Sequence, residues 1–398
     1  MPFVFFYSKN QVNAIPNGPK QILNLLTDSL SKALSHYCPW AGSLKDNATI
    51  ECDDHGAEFL EVQINSPMDK VANHPNSNVN DLTFPQGVPW ANGVDRALTV
   101  AQLSHFECGG IALSVCMSHK IGDGSSVHCF LRDWASLTRS SNTIRPSPYF
   151  VEDSILASPT GAGPLVCPVR RLNAETSAHC VQRRFIFSRT KLSALKSLIG
   201  MQNVTSNEAM SALVYKCAAF SATMLNSGSF KRSQLVQFFD LRQMISPQLP
   251  PNSIGNILTV FSSPIYHNEE ELKLPKLVTD IRKSKHNLST RNNVEENELA
   301  IEMLDAYRTG KSIFHKRECD VYLSTSLRKF PLIQDLDFGF GKPIRASLAK
   351  GPFNKAILLM RTYDGGIEAS VNLNEDEMCV FEHDKQLLEF ATPISQDF

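Results

Sequence analysis

The sequence predicts a mixed α/β protein of two domains, and three observations carry that expectation. A chain of 398 residues with 42% hydrophobic content is long enough to bury two cores. Both halves hold segments with strand alternation and segments with the helical period, but without the regular strand-helix-strand rhythm of a doubly wound sheet. Between the halves, Pro146, Pro148, Pro159, Pro164 and Pro168 fall in a stretch with few periodic apolar positions, as in a long linker. The expected division is residues 1–144, a linker at 145–182, and residues 183–398.

The elements follow in order. Met1 to Tyr7 is apolar but lacks a basic flank and a long hydrophobic run, so it reads as a strand and not as a signal segment. From Pro19 to Tyr37, Ile22, Leu26, Leu30, Leu34 and Tyr37 share one helical face, and Pro39 stops the helix. Residues 98–106 and 111–117 read as two strands joined by Glu107-Cys108-Gly109-Gly110, a hairpin that delivers His119 at a strand end. In the second half a strand at 183–188 leads to a helix with Leu192, Leu195, Leu198 and Ile199 on one side. Thr205 and Glu208 form a capping-box pattern ahead of a helix at 206–219. A strand, a helix and another strand are expected through about residue 262, then a helix over Lys273 to Lys285. Strands at 356–362 and 366–373 flank the glycine turn Tyr363-Asp364-Gly365-Gly366.

Composition excludes several functions. A net charge of −1 without runs of like charge gives no footprint for nucleic acid. No apolar run reaches the length of a membrane span. The ten cysteines are scattered without a Cys-x-x-Cys pair, which argues for reduced thiols in a cytosolic compartment and against zinc. The sequons at Asn47, Asn203 and Asn287 would then stay unmodified.

Two strings carry chemistry. The first is His119-Lys120-Ile121-Gly122-Asp123. A hydroxyl is a weak nucleophile at neutral pH, and a histidine with a reference pKa of about 6.5 suits both removal of its proton and its return to a leaving group. Alone, the string more often describes a histidine that ends a strand and satisfies a backbone group. Asp123 has two open roles, orienting the imidazole or pairing with an arginine to hold the loop. The flanking Gly122 and Gly124 argue for a tight loop. The second string is Asp337-Phe338-Gly339-Phe340-Gly341-Lys342-Pro343. Its Asp-Phe-Gly lacks the other kinase signatures, and Gly339-x-Gly341 lacks the third glycine of a dinucleotide fingerprint. It reads as a turn that needs glycines, with Phe338 and Phe340 packing beside it.

Together and in this order, the two strings resemble the signature of the plant BAHD acyltransferases. His36-Tyr37-Cys38-Pro39-Trp40-Ala41-Gly42-Ser43-Leu44, Phe106-Glu107-Cys108-Gly109-Gly110, Gly365-Gly366-Ile367-Glu368-Ala369 and Glu375-Asp376-Glu377-Met378 are similar to further family segments, so the likeness runs nearly end to end. It is strongest to the vinorine synthase-like branch of alkaloid O-acetyltransferases. The resemblance implies a two-domain chloramphenicol acetyltransferase-like fold, with mixed sheets, flanking helices and an active-site channel between the domains. It implies transfer of an acyl group, acetyl in this branch, from coenzyme A to a hydroxyl of a specialised metabolite such as an alkaloid. His119 would be the general base, passing through a tetrahedral intermediate. No resident cofactor or metal is implied, and acyl-CoA is a co-substrate. The expected partners are acyl-CoA and a small alcohol, with neither nucleic acid nor membrane, for a cytoplasmic monomer.

Further roles come from the same likeness. Asp123 would make a structural ion pair, with Arg242 in Phe239-Asp240-Leu241-Arg242 as the matching arginine. Asp337, Phe338, Gly339, Phe340 and Gly341 would form a structural loop near the coenzyme A channel, with Phe340 where most members carry a tryptophan and its N–H donor. Ser206 and Lys342 are candidate cofactor contacts, with simple helix capping the alternative for Ser206. Ser253-Ile254-Gly255-Asn256-Ile257 replaces a segment typical of malonyltransferases. The chain starts where the family's first strand has ended, which leads to the expectation that the Phe3–Tyr7 strand is left at an open sheet edge. Two alternatives therefore stand: a catalytically impaired ligand-binding homologue, and an N-acyltransferase with an amine acceptor.

Overall fold

The computed structural model describes residues 1–16, 18–45, 49–74, 81–88, 97–139, 145–151, 180–244, 248–290, 319–351 and 353–394. Most of the expected linker, residues 152–179, lies outside the described residues, as do Asn47 and Cys167.

Two mixed sheets organise the chain. The first has five strands: β1 (Pro2–Tyr7), β2 (Glu58–Ile64), β3 (Thr99–Phe106), β4 (Ile111–Met117) and β9 (Arg345–Leu348), in the spatial order β9-β1-β4-β3-β2. The six apolar residues of β1 are buried on both faces, as suits an interior strand. Phe3, Phe5 and Tyr7 face one core with Ile22, Leu26 and Leu30 of α1 (Gly18–His36). Val4 and Phe6 face a smaller core with Ile64, Val71 and Phe84. The first face is completed by α2 (Gly124–Thr138), whose Trp134 Nε1 donates to Ser29 Oγ of α1 at 3.0 Å.

The expected open edge at β1 is corrected here. β1 pairs with β4 on one side, Phe3 opposite Val115, and with β9 on the other, Phe3 opposite Leu348. The edges of this sheet are β2 and β9.

The second sheet has seven strands: β5 (Cys180–Phe187), β6 (Ser233–Asp240), β7 (Leu258–Ser262), β8 (Asp320–Ser326), β10 (Ala356–Arg361), β11 (Ile367–Asn374) and β12 (Thr392–Pro393). Their order is β7-β6-β8-β10-β11-β5-β12, with β6, β8 and β10 parallel to one another. One face packs on α3 (Arg189–Ile199), α4 (Ser206–Leu225) and α5 (Leu274–Thr290) through Leu195, Leu213 and Val278. α4 opens with both reciprocal bonds of a capping box between Thr205 and Glu208.

Two expectations from sequence need revision. The helix expected between the strands near 233 and 262 is a turn after Asp240, followed by a two-residue strand at Ser253–Ile254 that pairs with Tyr149–Phe150. The segment Leu327 to Leu348, placed from sequence with the second half, packs into the first core through Leu332, Leu336, Phe338 and Phe340 and supplies β9 to the first sheet. Apolar burial overrode sequence order there. No helix among the described residues is long and apolar enough to cross a membrane.

Candidate active site

β4 ends at Met117, and the chain turns through Ser118 to Asp123 before α2 begins. Ser118 N donates to Leu98 O at 2.9 Å, which ties the turn to the adjoining strand. Asp123 is the N-cap of α2, and its Oδ1 accepts from Ser126 N at 3.0 Å. The turn passes close to its neighbours. A Cβ on Gly122 would lie 2.5 Å from Ser126 Cβ and 3.3 Å from Trp40 Cζ2, and one on Gly124 would lie 2.9 Å from Leu327 Cδ2.

The carboxylate of Asp123 is occupied by structural contacts. Arg242 donates to it through both terminal nitrogens, at 2.8 and 2.9 Å, in the fork geometry that arginine and carboxylate share. Ile257 N at 3.1 Å and Ser126 Oγ at 3.1 Å complete its shell. Arg242 also reaches Asp240 Oδ1 at 3.1 Å and the carbonyls of Ser253 and Gly255. Both side chains of the pair are only 5% exposed. The fork therefore clamps the loop after β4 to the segment Ser253–Ile257, joining the two halves at the site.

His119 is held by a residue that sequence reasoning quoted but gave no role. Asn256 Nδ2 donates to the His119 carbonyl at 2.7 Å, which turns its Oδ1 toward the ring, 3.0 Å from Nδ1. Only a protonated Nδ1 can donate to that oxygen, so Nε2 carries the lone pair. Nε2 has no hydrogen-bond partner among the described residues. The side chain opens to solvent, yet the protein packed around it lowers its pKa from the ordinary 6.5, with desolvation the largest cause. The ring is a neutral base at neutral pH. Asp123 forms no hydrogen bond to it. The only signal for Asn256 was its place in Ser253–Ile257, 137 residues away, where a family segment is replaced and which no local pattern links to His119.

The glycine-aromatic loop lies elsewhere. Asp337 Oδ1 accepts from Gly339 N at 2.8 Å and Gly341 N at 3.0 Å, and both glycines sit at φ +98°, closed to most side chains. Phe338 meets Trp134 edge-on at 5.0 Å, and Phe340 meets Tyr7 at 4.8 Å. Tyr7 OH donates to Leu336 O at 3.0 Å. Tyr7 ends β1 opposite Ile111, whereas His119 follows the other end of β4, where Pro2 pairs with Cys116. The intervening strand is about 17 Å long at 3.3–3.4 Å per residue. Phe340 is thus not placed to touch an intermediate at His119, and the lost indole N–H has no bearing on an oxyanion there. Lys342 is exposed at the same far end, its carbonyl accepting from Gln11 Nε2 at 2.7 Å.

Ser206 stands at the other end of its sheet from where α4 finishes. Tyr215 OH lies 2.8 Å from Ser233 Oγ, and Ser211 Oγ accepts from Gln237 Nε2 at 2.9 Å. Moving toward the N-terminus of α4 therefore follows β6 toward Asp240 and Arg242. The first turn of α4, with Ser206, points to the rim that carries Asp123 and Asn256.

Comparison with known proteins identifies the family of the chain. The model of the Transferase family matches residues 1–388. Acyltransferase Pun1 of Capsicum frutescens is 41% identical over 407 residues, covering 98% of this chain and 90% of that protein. The 17,18-epoxy-17-hydroxycur-19-ene N-malonyltransferase of Strychnos nux-vomica is 35% identical over 398 residues, covering 99% and 84%. Among solved structures, vinorine synthase superposes with a TM-score of 0.80 at 27% identity, covering 98% of this chain and 90% of that one. Fold and relatives together define an acyltransferase of the two-domain chloramphenicol acetyltransferase-like type. The chain belongs to the Transferase family, that of the plant BAHD acyltransferases.

Proposed function

We propose that the protein transfers an acyl group from acyl-CoA, acetyl-CoA by preference, to a hydroxyl of a small specialised metabolite, with His119 as the general base. The observation that carries this reading is the neutral imidazole fixed by Asn256 with Nε2 open. Nε2 takes the acceptor proton as the oxygen attacks the thioester carbonyl. The tetrahedral intermediate then collapses, and the imidazolium returns the proton to the departing thiolate, a downhill step because a thiol holds its proton about two pH units more firmly than imidazolium. Asp123 and Arg242 hold the loop and relay no proton, since every contact of the carboxylate is structural. Ser206 at the head of α4 is our candidate contact for a coenzyme A phosphate, as helix N-termini favour anions. We infer a monomer that works in the cytoplasm. The relative named for N-malonyl transfer supports an amine acceptor and a malonyl donor as the second reading.

A panel of alcohols and amines with several acyl-CoAs, read by release of free thiol, tests the proposal. The expected result is turnover with an alcohol that falls by roughly 10² to 10⁴-fold in His119→Ala while the fold persists. Undiminished turnover in that variant would remove His119 as the base. Ser206→Ala should raise KM for acyl-CoA more than KM for the acceptor, and equal effects on both would leave it a plain cap.

A further inference from the structure

Two cysteines distant from the reacting histidine are brought together by a short return of the chain. Cys38 opens a one-turn helix, Cys38–Ala41, after which Ser43–Leu44 pairs with Ile50–Glu51, Ser43 opposite Glu51, so that Cys52 comes back beside the helix. Gly42 makes the approach close. A Cβ there would lie 3.3 Å from Cys52 Cα. Two further bonds hold the returning segment, Gly56 N donating to Ala41 O at 2.8 Å and Ser43 Oγ to Asp53 Oδ2 at 2.6 Å. The two thiols meet as a result, that of Cys52 donating a hydrogen bond to the Cys38 sulfur.

Both thiols are free and exposed, whereas Cys116, Cys129, Cys180 and Cys217 are buried beyond the reach of a solute. The two sulfurs are not equivalent. Desolvation first, then the hydrogen bond to Cys38 and the nearby charges of Asp54 and Asp53, push the Cys52 thiol up to about 11. Cys52 therefore keeps its proton at neutral pH, which leaves Cys38 as the attacking sulfur of the pair.

We propose that Cys38 and Cys52 are a reversible redox site, converted to an intramolecular disulfide by a small disulfide such as oxidised glutathione. The Cys38 thiolate attacks one sulfur of oxidised glutathione, forming a mixed disulfide and expelling one glutathione, which takes up the proton that Cys38 lost. The Cys52 sulfur then attacks Cys38 Sγ, and its proton goes to the second glutathione as that leaves. The two cysteines lose two electrons and two protons, and oxidised glutathione gains them as two thiols. Transient disulfides of this kind are the sort that a reducing compartment allows. The bridge closes the loop 38–52 and pins the strand pair to the helix of Trp40, whose ring is buried against Tyr37 and Phe130. The inference does not depend on the acyl-transfer reading.

The whole protein, equilibrated near neutral pH with graded ratios of oxidised to reduced glutathione, then alkylated and digested with trypsin, gives the test by mass spectrometry. Lys45 lies between the two cysteines, so their peptides stay joined only through a disulfide. The joined peptides should appear at ratios where the exposed Cys108 and Cys379 carry glutathione at most, and dithiothreitol should separate them. Cys52→Ser should stop at the mixed disulfide on Cys38, and Cys38→Ser should leave Cys52 reduced. The oxidised wild type should melt at a higher temperature than the reduced form, a difference absent from both variants. Both side chains are exposed, so the reduced variants should melt as the reduced wild type does. Separate glutathione adducts on Cys38 and Cys52, no reaction at either, or bridges from either one to a different cysteine would overturn the proposal.

Discussion

Asn256 grips His119 at two points, donating from Nδ2 to its carbonyl at 2.7 Å and offering Oδ1 to its ring Nδ1 at 3.0 Å. The first bond fixes which way the amide faces, and the second therefore fixes the tautomer. Asn256→Ala should lower kcat on the order of 10²-fold through misplacement of the base, with KM for either substrate little changed. Steady-state kinetics checks this. A fall confined to KM would mean that the amide holds substrate and not the imidazole.

The pH profile follows from the direction of the His119 shift. In the proposed mechanism the working form is the unprotonated ring, and desolvation lowers its pKa from 6.5. Activity should therefore be full above that lowered value and decline as pH falls through it, placing the acid limb of kcat/KM below about 6.5. The hydrogen bond to Asn256 acts in the raising direction, so Asn256→Ala should move the limb lower still. An acid limb above pH 7 would show that another group titrates.

Asp123 and Arg242 should not be equivalent in stability. Removing one partner of a buried pair costs about 3–5 kcal/mol. Arg242→Met leaves the carboxylates of Asp123 and Asp240 without their shared cation and should fall at the upper end. Asp123→Asn leaves Arg242 its Asp240 contact at 3.1 Å and should fall at the lower end. Urea unfolding ranks the two. If Asp123→Asn unfolds like the wild type yet loses turnover, the aspartate has a direct part in catalysis.

The glycines of the loop make a finer comparison. A methyl at Gly122 meets Ser126 Cβ, fixed in the first turn of α2, whereas one at Gly124 meets the ends of Leu327 and Phe330. Gly122→Ala should cost about 1–3 kcal/mol and displace the base, while Gly124→Ala should cost less than roughly 1.5 kcal/mol. Melting and kcat measured together decide it, and similar values for both variants would contradict the contact geometry.

Asp337→Ala should cost about 1–2 kcal/mol by stranding the amides of Gly339 and Gly341. Because the loop lies at the Tyr7 end of β1, the acid limb of the rate profile should not move. A shifted limb in this variant would place the loop in electrostatic contact with His119.

The sequence made some of this legible and concealed the rest for a physical reason. The expected helix at 19–37 is Gly18–His36, and the expected strands at 98–106 and 111–117 are Thr99–Phe106 and Ile111–Met117. Periodicity reports which face of an element is buried, and there it sufficed. It reports nothing about partners distant in the chain. The four residues of β9 carry no distinctive pattern, so their place beside β1 was invisible, and with it the interior position of β1. Asn256 was hidden in the same way, since an amide becomes a positioning group only where folding brings an imidazole to it. The Asp123–Arg242 pair was accessible through likeness to a family.

The pairing of β1 with β9 also has a consequence during synthesis on the ribosome. β4 is translated soon after β1, but the strand that closes the other side of β1, Arg345–Leu348, follows more than two hundred residues later. At about 5–20 residues per second, the nascent protein waits on the order of tens of seconds with one backbone edge of Phe3 to Phe6 unpaired. That interval falls to molecular chaperones to guard, and ribosomes that stall before residue 345 should release chains that aggregate through this edge.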